Sequence, residues 1–282
     1  MKVVLFCGGL GMRMRPLIPD PHSVSSYISE DLPKPMVHVG GQRPLLWNVM
    51  KYYAHYGHKD FILCLGFRGD VIKNYFLNYN EYLSNDFIME DGGAKLNLLH
   101  GDIQDWRMTF ADTGLTANVG QRLCAVKSYL KNETMFLANY SDGLTDVPLD
   151  EYLEKFKKTG KVAAFVCVRP PHTSHVVRAS EEGNVTAIEH IREAGVWING
   201  GYFIFRKEIF DYIHEGEELV EQPFRRLIEA NQLFAFKYDG FWACIDTFKE
   251  KQALDEMIAR GLTPWKVWGS DAKEAMPTAL EE

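Results

Sequence analysis

The 282-residue sequence predicts an α/β protein with a doubly wound, mostly parallel sheet and a small C-terminal appendage. Three observations carry that expectation. Short apolar runs of strand length alternate with segments of helical periodicity, the first run opens into a glycine-rich turn, and later runs end on acidic residues. With 46% hydrophobic residues the chain can bury most of its apolar surface in one core, so residues 1–268 are expected as a single domain.

Each element follows in order. Lys2–Cys7 (KVVLFC) reads as a buried parallel strand ending at Gly8-Gly9. Residues 15–33 hold Pro16, Pro19, Pro21 and Pro33 around a Ser/Asp-rich middle without periodicity, which predicts a long loop beside a strand end, the usual place for a lid. Pro44 stands at a first helical position, with Leu46, Val49, Met50 and Tyr53 on one face and Gly57 as the stop. Phe61–Leu65 is the next strand, and a helix runs through about Tyr75–Tyr79. Residues 80–120 are polar and glycine-punctuated, with Trp106–Phe110 as their one expected strand. Thr134–Ala138 is a core strand leading into Ser141-Asp142-Gly143. Leu149, Tyr152, Leu153 and Phe156 mark a helix, and Val162–Val168 returns as a strand. Further on come a strand (Tyr202–Phe205), two helices (Lys207–Ile213 and Pro223–Ala230), a strand (Leu233–Tyr238) and a last helix through Met257. Gly269–Glu282 has the composition of a disordered tail.

Composition excludes several classes. A net charge of −7, from 31 Lys+Arg against 38 Asp+Glu, has the wrong sign for neutralising a polynucleotide, so no nucleic acid partner is expected. No apolar stretch reaches the roughly 20 residues that span a bilayer, and the first residues form a strand rather than a charged leader. The five cysteines (Cys7, Cys64, Cys124, Cys167, Cys244) are widely spaced and never form a C-x-x-C pair, so they read as thiols of a reducing compartment. A cytoplasmic protein without a membrane partner is expected, and homo-oligomerisation is left open.

Five short constellations could carry chemistry. Gly8-Gly9-Leu10-Gly11-Met12-Arg13 follows the first strand, where glycines let backbone N–H groups approach an anion and an arginine can fork onto phosphate. Met14 stands where a dinucleotide fingerprint needs its third glycine, and no P-loop spacing is present; a plain structural turn is the alternative. In Pro33-Lys34-Pro35-Met36 the flanking prolines are expected to hold the backbone extended, presenting Lys34 either to a transferring phosphate or to solvent. Asp142, at the carboxyl end of a central strand, suits a Mg²⁺ ligand or a turn and helix cap. Asp246, ending Gly240–Asp246, faces the same choice between ligand and N-cap. Trp197-Ile198-Asn199-Gly200-Gly201 offers an amide for vicinal hydroxyls and glycines that admit a ring, or simply a tight bend.

The order and spacing of these five resemble the sugar-1-phosphate nucleotidyltransferases, and among them the glucose-1-phosphate cytidylyltransferases, from Lys2 to Trp265-Lys266-Val267-Trp268. The loop at Gly8–Arg13 resembles the family's G-G-x-G-T-R, Lys34-Pro35-Met36 its K-P-M, and Asp246-Thr247 its D-T. Arg122, in the stretch from Thr113-Gly114 to Gly120-Gln121-Arg122, is similar to a T-G…G-G-R segment near the nucleotide. Trp197–Gly201 matches a W-I-N-G-G of the sugar pocket.

The resemblance implies a Rossmann-like nucleotidyltransferase fold with nucleotide binding in 1–145 and sugar binding in 146–268. It implies Arg13 and Lys34 as catalytic cations, and Phe6, Gly8, Gly9, Gly11, Met12, Arg13, Lys34, Gly120, Arg122 and Asp142 around the nucleotide. Asp142 and Asp246 would hold Mg²⁺; Glu189, His190, Arg192, Asn199 and Gly200 would hold the sugar phosphate. CTP and glucose 1-phosphate are the implied substrates. Alternatives are another nucleotide or phosphorylated acceptor, or a non-catalytic sugar-nucleotide sensor; a glycosyltransferase would need a D-x-D, and Asp142-Gly143-Leu144 is none.

Three departures stand out. Met12 replaces the loop threonine, the stretch from Arg13 to Lys34 is about ten residues longer than usual, and the family's E-K-P falls on Glu189-His190-Ile191, without its lysine. An imidazole is a weaker phosphate partner than an ammonium, and Arg192, two residues on, competes for the role.

Overall fold

A computed structural model describes residues 1–9, 32–40, 43–171 and 174–269. Residues 15–31 of the lid expected at 15–33, most of the glycine loop (Gly11, Met12 and Arg13 included) and the tail beyond Gly269 lie outside the described residues. Seven strands make the central sheet: β1 (Lys2–Phe6), β2 (Asp60–Leu65), β3 (Arg107–Asp112), β4 (Met135–Asn139), β5 (Ala163–Val168), β6 (Ile198–Arg206) and β7 (Leu233–Tyr238). Their spatial order is β7-β5-β6-β4-β1-β2-β3. All neighbours pair in parallel except β6, which runs antiparallel to both β5 and β4.

The sheet buries both faces because its strands are apolar on both. Val3 and Leu5 of β1 face one core with helices α1 (Leu45–His55), α2 (Gly69–Leu77) and α4 (Leu149–Thr159), whereas Val4 and Phe6 face a second core. That second core is covered by α3 (Val119–Ala125) and α5 (Gln222–Glu229). Adjacent residues pointing to opposite faces is the period-two geometry of a strand, and continuous apolar runs are its consequence when both faces are packed. Pro44 is the N-cap of α1 rather than its first helical residue, but the stop holds at Gly57, whose φ of +81° accepts the left-handed turn, and α4 buries Leu149, Tyr152, Leu153 and Phe156 as expected.

Three readings need correction. The lysine between prolines is not extended: Lys34–Met36 is one turn of 3₁₀ helix, because Pro33 and Pro35 sit at its cap and second positions, where a missing N–H costs nothing. The expected helix at Lys207–Ile213 is a 3₁₀ segment, Lys207–Asp211, and the strand expected at Tyr202–Phe205 extends over all of Ile198–Arg206. Residues 80–120, unordered from pattern, contain a hairpin, Phe87–Glu90 with Lys95–Leu98, that pairs with no strand of the main sheet. A second hairpin, His175–Ala179 with Val185–His190, forms an arm after β5. The last helix, α6, spans Phe248–Ala259. Among the described residues no helix is long and apolar enough to cross a membrane.

Candidate active site

The carboxyl ends of β1 and β4 lie side by side, and the chain is shaped there to aim one side chain. Ser141, fully buried, takes a φ of +62°, a conformation that a non-glycine residue holds only when its surroundings impose it. Its N–H donates to Asn139 Oδ1 at 2.6 Å and its hydroxyl to the Phe6 carbonyl at 2.8 Å, so the turn is tied to both strands. The next residue is Asp142. Gly143–Thr145 then pairs antiparallel with Trp242–Cys244, and the Ile245 N–H donates to the Asp142 carbonyl at 3.2 Å. This short ribbon brings Asp246 beside Asp142.

Lys34 completes the group. Its Nζ donates to Asp142 Oδ2 at 2.7 Å and to Asp246 Oδ1 at 2.5 Å, joining residues 108 and 212 positions apart. The three side chains are 13%, 31% and 36% exposed, so the cluster is half-buried yet open to a ligand. Burial pulls the Lys34 ammonium down, but the two carboxylates more than offset this and hold it above the usual lysine value. Desolvation pushes the Asp142 carboxyl up against the opposing pull of Lys34.

The helix-cap alternative fails for both aspartates. Thr247, not Asp246, is the N-cap of α6: its side chain accepts from the Glu250 N–H, while Glu250 Oε2 takes the N–H groups of Thr247 and Asp246. Asp142 precedes a strand and caps no helix.

Two carboxylates converging on one cation also describe how Mg²⁺ is held in nucleotide sites, by one or two carboxylates with phosphate and water completing the octahedron. No group of three or more His, Cys, Asp or Glu side chains gathers at metal range among the described residues. The Asp142/Asp246 pair therefore fits an ion shared with a substrate better than an all-protein cage.

Around this centre the remaining residues take distinct places. Phe6 belongs to the second core, its ring tilted against Tyr140 at 6.4 Å between centroids. Gly8 and Gly9 end the described part of the glycine loop. Arg122 is 4% exposed and its guanidinium is engaged within the protein: it donates to the carbonyls of Leu65, Gly114 and Leu115, to Thr113 Oγ1, and to the Gly8 carbonyl at 3.0 Å. A Cβ on Gly8 would stand 2.1 Å from that guanidinium, so glycine is required for the approach. Gly120 packs against the Glu217 carbonyl, which a Cβ would meet at 2.3 Å. Gly120→Ala is accordingly expected to cost about 1–3 kcal/mol of stability, read as a lower urea midpoint, because backbone cannot move aside as a side chain can.

On the acceptor side, Asn199 Nδ2 donates to the Tyr140 hydroxyl at 3.3 Å, and the Gly200 carbonyl accepts from Trp242 Nε1 at 2.8 Å. The W-I-N-G-G stretch is thus joined to the ribbon that carries the aspartates. Glu189 accepts from Arg178 Nε at 2.9 Å. His190 faces His175 edge-on at 5.6 Å, its Nδ1 accepting from the exposed Arg192's own N–H at 3.2 Å. Sequence reasoning missed Ser141, Tyr140 and Trp242. Polar Asn139 and Ser141 bracketing the end of an apolar strand were the available signal for the first.

A doubly wound sheet with an acidic pair, a lysine and a glycine turn at one carboxyl edge defines a nucleotide-binding α/β protein of the phosphoryl- and nucleotidyl-transferring kind. The chain belongs to the nucleotidyl transferase family, whose model matches residues 2–250. It is 34% identical over 270 residues to a glucose-1-phosphate cytidylyltransferase of Salmonella typhi, covering 95% of this chain and 100% of that one. A probable glucose-1-phosphate cytidylyltransferase of Bacillus subtilis is 33% identical over the same shares. Among solved structures, a UDP-glucose pyrophosphorylase complexed with UDP-glucose superposes with a TM-score of 0.65 at 14% identity, over 92% of this chain and 98% of that one. A putative glucose-1-phosphate thymidylyltransferase of Bacillus anthracis gives 0.62 at 16%, over 93% and 96%. At such identities these two likenesses speak for the fold.

Proposed function

We propose that the protein transfers a cytidylyl group from CTP to a sugar 1-phosphate, glucose 1-phosphate by preference, releasing pyrophosphate. The observation that carries this reading is the convergence of Lys34, Asp142 and Asp246 on one point at the carboxyl edge of the sheet. The choice of CTP and glucose 1-phosphate is supported by the names of the relatives that match nearly the whole chain.

An oxygen of the acceptor phosphate attacks the α-phosphorus in line. The bond from that phosphorus to the bridging oxygen breaks, and its electron pair leaves on pyrophosphate. No general base is needed, since a phosphate monoester with a second pKa of about 6 is already a dianion. Asp142 and Asp246 would hold Mg²⁺, which when bound neutralises charge on the triphosphate. Lys34 turns from the carboxylates to phosphate oxygens, and Arg13 adds a second cation. Gly8, Gly9, Gly11 and Met12 cradle the phosphates, with Phe6 and Gly120 behind them and Arg122 holding the Gly8 turn in place. Asn199 and Gly200 orient the sugar, beside Glu189, His190 and Arg192. A cytoplasmic setting, which the five free thiols support, completes the reading.

The test incubates the protein with Mg²⁺, each of four nucleoside triphosphates and a panel of sugar phosphates while pyrophosphate is followed. CTP with glucose 1-phosphate is expected to turn over fastest. Absence of pyrophosphate with every pair would leave the sensor reading standing instead.

Self-association belongs to the proposal. The free-standing hairpin leaves Ile88 49% and Met89 63% exposed, and a lone two-stranded hairpin is marginal in water unless its apolar side chains are covered. A second copy is the occupant we infer. Light scattering is expected to give a multiple of the chain mass, and Ile88→Lys with Met89→Lys to return the monomer; a parent that is already monomeric would refute this.

A further inference from the structure

The acceptor in nucleotidyl transfer is an anion, and fixed positive charge gathers at one place on the acceptor side of the sheet. Arg169 follows β5 directly and Trp197 precedes β6 directly. Since Val168 pairs with Ile198, these two residues are the next neighbours across the same antiparallel ladder. The Arg169 guanidinium lies 4.1 Å from the centroid of the Trp197 ring, and the Lys237 ammonium lies 5.3 Å from that ring. Cys167 pairs with Asn199 on one side and Lys237 on the other, so Asn199 and Lys237 stand in one row on one face.

This row is at the correct edge. β5 runs parallel to β4, both being antiparallel to β6, so the residue after β5 and the aspartate after β4 emerge from the same side of the sheet. Asn199 reaches back to Tyr140, and Gly200 to Trp242, linking the row to the ribbon that carries Asp142 and Asp246.

Stacking uses the flat face of a guanidinium and leaves its in-plane donors available. Arg169 Nε is engaged by the exposed Asp239 at 3.2 Å, and its two terminal nitrogens donate to no described residue. An arginine fixed by an aromatic ring and a carboxylate, with a two-nitrogen fork still open, is a preorganised receptor for phosphate. Lys237 adds charge beside it. His190, by contrast, already has Nδ1 occupied, and the exposed Arg192 side chain has no hydrogen-bonding partner among the described residues to fix it.

Resting on the nucleotidyl-transfer reading above, we propose that Arg169, stacked on Trp197 and supported by Lys237, binds the phosphate of the acceptor. It is an acceptor-specificity residue: it selects substrates with a phosphate monoester and makes no contact with the base or triphosphate. The ring of Trp197 positions it, and Asn199 meets the hydroxyls of the sugar alongside.

The experiment compares the parent with Arg169→Ala, Arg169→Lys and Lys237→Ala in steady-state assays with CTP and glucose 1-phosphate. Arg169→Ala is expected to raise KM for glucose 1-phosphate at least about ten-fold while KM for CTP stays within about two-fold, with an unchanged Tm. Arg169→Lys recovers part of the loss, and Lys237→Ala gives a smaller rise in the same constant. A parent-like acceptor KM in Arg169→Ala overturns the proposal, as does an equal rise in both KM values with a lowered Tm, the mark of a structural role. A parent that releases no pyrophosphate with any nucleotide defeats the reading of the reaction instead. Calorimetric titration with glucose 1-phosphate alone then decides the anion site: binding lost in Arg169→Ala upholds it, and equal affinity, or none in the parent, overturns it.

Discussion

Asp142→Asn and Asp246→Asn are each expected to lower kcat by about 10²-fold or more while the protein stays folded. Each asparagine keeps the shape of the side chain and removes the charge that would neutralise a metal ion at the triphosphate. The fold has little reason to object. Asp142 is a carboxyl whose ionisation burial already opposes, and the α6 cap rests on Thr247 and Glu250 rather than on Asp246. Both variants are also expected to need more Mg²⁺ for half-maximal rate. The measurement is kcat and Tm on the same preparation, across a Mg²⁺ series. A variant that melts early and retains full specific activity would show that these carboxylates are structural.

Lys34→Ala separates two roles that one side chain performs. The ammonium sits between the carboxylates, and a divalent cation bound by the same pair must displace it. Removing it leaves the two carboxylates without the ammonium they share, an arrangement that attracts another cation. Binding of Mn²⁺ to the protein without nucleotide is therefore expected to tighten by about ten-fold. Turnover moves the opposite way, falling on the order of 10²-fold, because the lysine is no longer there to stabilise charge on the transferring group. Tighter metal with slower chemistry is a signature that general damage to the fold would not give. Weaker metal binding and undiminished kcat would place Lys34 outside the chemistry.

Much of the architecture is legible in the sequence because strands buried on both faces must be apolar along their length. That rule found β1, β2, β4, β5 and β7, and helical periodicity found α1, α2, α4, α5 and α6 but not α3. It could not reveal the direction of β6, since a buried strand reads alike in either sense, nor the two hairpins, whose side chains lack a packed face. The site was legible as separate fragments. Asp142, Asp246 and Lys34 were each ambiguous alone, and their meeting depends on a ribbon pairing Gly143–Thr145 with Trp242–Cys244 that no local pattern announces. Arg122 shows the reverse case. Its motif suggested an arginine near the nucleotide, while its geometry engages both terminal nitrogens with carbonyls, Gly8 among them, and with the Thr113 hydroxyl, which a sequence cannot display. The Arg169–Trp197 stack was hidden for a similar reason, because it joins residues set next to each other only by the register of β5 against β6.

In the proposed reaction the α-phosphorus of CTP is transferred to an acceptor phosphate. That transfer is tested most directly by supplying CTP labelled at the α-phosphorus together with Mg²⁺ and glucose 1-phosphate, then separating the products. The label is expected in a nucleotide sugar in equal amount to the unlabelled pyrophosphate released, and added pyrophosphate is expected to drive it back into CTP. Label remaining in CTP, or appearing as free CMP or CDP without a sugar attached, would contradict that reaction.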